Sequence, residues 1–171
     1  MGSSLSFPIL ALAAIIQTTL VPHLMRVLNA EPDLIFLIVL SWSIHAPLEQ
    51  ALVWAFVGGI AADLLSSAPT GASVIGLVLL VGVVNVLRAQ VYSVGVFMMI
   101  GLTVFGTIAH RLIYLLITTL DGARLPVVSL LLLIVLPTLV YNLLLLFPVY
   151  RLTRFIQKRA GAGGILPPGT V

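Results

Sequence analysis

Charge interrupts this chain so rarely that apolar stretches of bilayer-spanning length follow one another almost from end to end. Only 13 of its 171 residues are charged, eight basic and five acidic. A soluble domain would carry about a quarter of its residues as charges, so this supply cannot clothe a water-facing surface. Lipid offers the backbone no hydrogen bonds; each long apolar stretch must therefore be a helix, and clusters of polar residues and prolines mark where one stops. Six stretches follow on that basis, over residues 5–24, 34–45, 51–65, 72–87, 91–120 and 127–150. The expected fold is all-α, a polytopic membrane protein with six transmembrane helices within residues 1–159 and a flexible Gly/Pro-rich tail over 160–171.

The second stretch is short, and the break at Ala46-Pro47-Leu48-Glu49-Gln50 is expected near the membrane interface. The first basic residue is Arg26, beyond the first span, so that span lacks the charged start of a secretion signal and is expected to be retained. Loop charge sets the orientation. With six crossings, the Arg88 loop and the carboxyl tail share one side and hold five basic residues, while the loops at Arg26 and Arg124 share the other and hold two. Both termini are expected in the cytoplasm, with the chain crossing the membrane several times.

Polar groups inside the spans are the candidate functional residues, because an Asp or Arg at mid-membrane costs roughly 2.5–3.5 kcal/mol on insertion scales. Gln17, Asp63, His110 and Arg111 fall at similar depth under this topology. Three readings are open. Asp63 caps a helix end or turn with Ser66 and Ser67 while Arg111 snorkels to the interface, or the two form an ion-pair clamp, or the cluster holds a ligand or proton. Asn85 and Asn142 are expected to bond between helices, and Pro137 and Pro148 to kink the sixth span.

Small residues mark a second feature. Ala51, Ala55 and Gly59 recur at intervals of four with Asp63 continuing the row, and Gly58 and Ala62 form a parallel pair. Such a stripe lets another helix come close. The neighbour could belong to this chain, to a second copy or to a partner.

The search for chemistry returns little. The chain has no cysteine and no catalytic or phosphate-binding motif, so neither cofactor nor metal is expected and the chain is not expected to be an enzyme. Ser41, His45 and Glu49 superficially suggest a nucleophile, a base and an orienting acid, but Pro47 breaks the helix between the last two and no oxyanion donor is apparent. The basic residues Arg151, Arg154, Lys158 and Arg159 are expected against anionic lipid headgroups; nucleic acid is not an expected partner in this setting.

Several runs together resemble the bacterial rod shape-determining MreD family. They are Pro32-Asp33-Leu34-Ile35, then Gly58-Gly59-Ile60-Ala61-Ala62-Asp63-Leu64-Leu65-Ser66-Ser67-Ala68-Pro69-Thr70-Gly71, then Tyr141-Asn142 with Pro148-Val149-Tyr150-Arg151, and Gln17 ahead of Pro22. The likeness covers about residues 10–154, and the Asp63 to Gly71 segment carries most of its weight. It departs from the family around His45 to Gln50 and in the tail. The resemblance implies a non-enzymatic membrane scaffold that binds the single-span protein MreC and helps organise peptidoglycan synthesis. Through MreC it would meet the elongation transpeptidase and glycosyltransferase and the filament MreB. It also implies an architecture similar to the six-helix substrate-binding subunits of energy-coupling-factor transporters, so the alternative function is a vitamin-binding transporter subunit.

Overall fold

The computed structural model describes residues 6–19, 32–65, 71–90, 95–120 and 135–159. They form six helices: α1 (Ser6–Thr19), α2 (Leu34–Ser43), α3 (Leu48–Leu65), α4 (Ala72–Gln90), α5 (Val96–Leu120) and α6 (Leu136–Arg159). No strand occurs among the described residues. The last four helices are long and apolar enough to cross a membrane. At 1.5 Å per residue, α1 and α2 reach only about 21 and 15 Å against a hydrocarbon core of about 30 Å. Six spans were expected; among the described residues there are six helices, four of which have spanning length.

Two boundaries differ from the sequence expectation for a local reason. Pro47 does not open a five-residue break. It sits just ahead of α3, where its missing N–H costs nothing, and its carbonyl accepts from Ala51 N at 3.0 Å as the first helical bond. The sixth helix does not end at Tyr150 but runs through Pro148 to Arg159. A turn is expected over Ser66 to Gly71 and another over Asp121 to Pro126; residues 66–70 and 121–126, Arg26, Arg124 and the tail lie outside the described residues.

The shortest helix is the central one. Helix α2 packs against all five others, and Ile35, Phe36, Leu37, Val39, Leu40 and Trp42 are sealed from the surface. A helix that is apolar on every side is stable only when enclosed on every side. Trp42 stacks on Trp54 of α3 with ring centroids 3.8 Å apart, an aromatic pair worth about 1 kcal/mol beyond the area it buries. The outer helices turn apolar side chains outward, Phe7, Leu64, Phe97 and Leu120 among the most exposed, while Asp33, Asp63, Thr107, Asn142 and Gln157 are buried. Apolar outside and polar inside is the pattern lipid selects.

Lipid tails are as apolar as leucine, so helices gain little from burying aliphatic surface and hold together by close contact and hydrogen bonds. The small-residue stripe of α3 supplies the close contact, and its neighbours lie in this same chain. Ala51, Ala55, Gly58 and Gly59 are buried, and Ala62 is half-buried. Gly58 faces Ile35 and Val39 of α2 and Leu10 of α1. A Cβ on Gly59 would stand 2.5 Å from Val74 Cα, so only glycine allows α3 and α4 their backbone approach. Asp63 finishes the row by accepting from Gly71 N at 2.6 Å and Ser73 N at 3.0 Å, which caps the start of α4.

Candidate functional site

Every helix begins with four N–H groups and ends with four carbonyls that its own turns cannot pair. In water this is harmless, but α2 spans only about half the hydrocarbon thickness and is enclosed by protein, so both of its ends need partners from elsewhere. Several of the buried polar residues of the fold gather at those two places.

At the amino end all four donors are taken. Asn142 Oδ1 of α6 accepts from Asp33 N at 2.9 Å. Gln17 Oε1 of α1 accepts from Leu34 N at 3.0 Å and Ile35 N at 3.3 Å. Asp33 Oδ1 accepts from Phe36 N at 3.0 Å, making Asp33 the N-cap. A second layer holds the first: Asn142 Nδ2 donates to Thr107 Oγ1 at 3.1 Å, and His110 Nδ1 stands 3.3 Å from Asp33 Oδ2. That contact implies the Nδ1–H form of the imidazole, which leaves buried Nε2 without a hydrogen-bond partner among the described residues. His110 also stacks on Phe36 and lies directly against Gly76, where any side chain would collide with it. Arg111, half-buried on the next position, adds a favourable charge interaction with Asp33. The Asp33 carboxylate also sits where the helix dipole is positive.

The carboxyl end is closed by donors instead. Arg88 of α4 sends one guanidinium nitrogen to Ser43 O at 2.9 Å and Ala46 O at 2.6 Å. Gln157 Nε2 of α6 donates to Trp42 O at 3.0 Å, and Ser43 Oγ turns back to Leu40 O at 2.7 Å. The Arg88 cation lies at the negative end of the dipole. Beside it, His45 Nε2 and the Tyr150 hydroxyl are 3.3 Å apart. Burial, then the nearby Arg154 and Arg88 charges, holds the His45 imidazole below its ordinary value of 6.5.

These contacts redistribute the residues expected to cluster. Gln17, His110 and Arg111 do converge, but around Asp33, a residue read from sequence as loop. Asp63 is engaged at the start of α4, and the carboxylate that faces His110 is that of Asp33. Asn142 is an interhelical bond-former within the site, whereas Arg88, Gln157 and Thr107 were not anticipated there. A signal for Asp33 was present: an Asp immediately before an apolar run is a helix-start mark. The Ser41, His45 and Glu49 set is divided between α2, a connection and α3. Arg151, Arg154, Lys158 and Arg159 are exposed on α6. No group of three or more potential metal ligands occurs among the described residues.

The arrangement closes backbone; its acceptors meet N–H groups and its donors meet carbonyls. Comparison with known proteins places the chain in a family. No curated protein matches the chain, and no solved structure does. A family model does match, that of the rod shape-determining protein MreD, over residues 1–159, so the chain belongs to the MreD family.

Proposed function

We propose that this protein is a non-enzymatic membrane scaffold of the elongation machinery, binding MreC and helping organise peptidoglycan synthesis and cell shape. The observation that carries the reading is how the interior polar groups are used. Gln17, Asp33, Asn142, Arg88 and Gln157 are engaged with the backbone at the ends of α2, so they build a fixed body rather than line a place for a substrate. Membership of a shape-determining family supports the same conclusion. With the glycine stripe of α3 used inside the chain, the surfaces left for a partner helix or a second copy are the outward apolar faces.

The proposed setting is the bacterial cytoplasmic membrane, crossed several times, with both termini inside. Supporting it, Arg88, Arg151, Arg154, Lys158 and Arg159 share one end of the bundle, while Asp33 and Asp63 share the other. Contact with the transpeptidase, the glycosyltransferase and MreB would be indirect, through MreC.

The test is purification of the tagged full chain in mild detergent, paired with its depletion in a rod-shaped host. Recovery of a single-span periplasmic partner and rounding of the cells are expected. Recovery with cytoplasmic ATPases or a bound vitamin would overturn the scaffold in favour of a transporter subunit.

A further inference from the structure

The carboxyl-terminal half of α6 and the first turn of α5 enclose a recess of about 300 Å³. Its apolar side is formed by buried Met99 and by the exposed rings of Phe147 and Phe155. Its other side is basic: Arg151, Arg154 and Lys158 fall at i, i+3 and i+7 and so share one face of α6.

What distinguishes these three cations from the others at this end is that they are unspent. Arg88 is committed to the carbonyls after α2. Arg159 lies over the Phe155 ring, 4.4 Å from its centroid. Arg151, Arg154 and Lys158 have no hydrogen bond, carboxylate or ring partner among the described residues. They extend over about 10 Å of helix rise. A single phosphate diester carries one charge and leaves two of the three cations unmatched, whereas two phosphates in one headgroup come closer to balancing all three. The aromatic side requires that the ligand also carry a hydrocarbon chain.

We propose that this recess binds the headgroup of an anionic lipid carrying two phosphates. The phosphates sit on Arg151, Arg154 and Lys158, and the first part of the lipid chain packs on Phe147 and Phe155. Basic pockets between membrane helices recognise such headgroups by charge and reach together. Two kinds of lipid share this chemistry, a bisphosphate glycerolipid of the cardiolipin type and a polyprenyl diphosphate. The inference is independent of the scaffold reading, since it rests on the recess alone.

Native mass spectrometry of the purified full chain tests it, with cardiolipin, a polyprenyl diphosphate and phosphatidylglycerol titrated separately. At least one of the two-phosphate lipids is expected to bind more tightly than phosphatidylglycerol, and whichever binds better identifies the source. The triple variant R151Q/R154Q/K158Q should weaken that binding by about a hundredfold, three surface-basic contributions of about fivefold each. R159Q, which removes one charge outside the recess, should leave it within about twofold. Phe147→Ala should weaken both two-phosphate lipids while leaving the charges in place. Equal binding of all three lipids, wild-type binding by the triple variant, or binding of none of them would overturn the proposal; the last outcome would point to an acidic protein segment as the occupant.

Discussion

The two ends of α2 solve one problem with opposite chemistry. At the amino end, surplus N–H groups meet acceptors: two neutral amides and one carboxylate, drawn from α1, α6 and the residue before the helix. At the carboxyl end, surplus carbonyls meet donors: one guanidinium from α4, one amide from α6 and the Ser43 hydroxyl of α2 itself. The first end spreads its demand over a layered network in which Asn142 is itself held by Thr107, and Asp33 by His110. The second concentrates it on Arg88. The comparison teaches that in a bundle lacking a hydrophobic drive between helices, specificity of assembly resides in who caps whom, because the caps tie α2 to α1 and α6 at one end and to α4 and α6 at the other.

If concentration matters, the largest loss should come from Arg88. Arg88→Met leaves the Ser43 and Ala46 carbonyls without their donor and should lower stability by about 3 kcal/mol, read from thermal or denaturant unfolding in detergent. Arg88→Lys should recover part of it, since a single ammonium replaces the planar fork. Asn142→Leu comes next: it strands Asp33 N–H and the Thr107 hydroxyl and should cost about 2 kcal/mol. A larger loss from Asn142→Leu than from Arg88→Met would reverse the comparison. Gln17→Leu and Gln157→Leu sharpen it further. Gln17 serves two N–H groups and Gln157 one carbonyl that also accepts from Ala46 N, so losses of about 1.5 and 1 kcal/mol are expected in that order.

The smallest effect is a pH dependence at the Arg88 end. In the folded protein the His45 imidazole is held below 6.5 by burial and by the Arg154 and Arg88 charges. The unfolded chain therefore takes up the proton first. This contribution to stability is complete above about pH 6.5 and declines as pH falls through the interval between the unfolded and folded values. His45→Gln should flatten the slope of melting temperature between pH 7.5 and 5.5 relative to the parent. An unchanged slope would remove His45 from the account.

Much of this is legible in the sequence. The six helices and the bounds at Leu34, Leu65, Ala72 and Leu120 follow from where charges, prolines and turn residues fall, because lipid leaves the backbone no other option. Gln17, His110 and Arg111 stood out as polar groups that an apolar span must justify. What was not legible was their common object. Asp33 reads as a loop residue because Pro32 and Glu31 beside it suit a loop, and its burial depends on α5 and α6 folding over it. Arg88 read as a cytoplasmic loop charge for the same reason. Its sequence position shows its depth, but only packing brings it to the end of a helix more than forty residues away.

Sequence by itself determined that this is an α-helical membrane protein, because apolar runs with so few charges have no soluble alternative, and that α3 carries a face on which helices approach closely. Tertiary structure decided that the shortest helix lies at the centre, that the α3 glycines serve this chain's own neighbours, and that Asp33 and Arg88 close opposite ends of α2. The physical reason is that hydropathy is a property of each segment alone, whereas an unpaired N–H or carbonyl is satisfied only by whichever distant side chain the packing delivers to it.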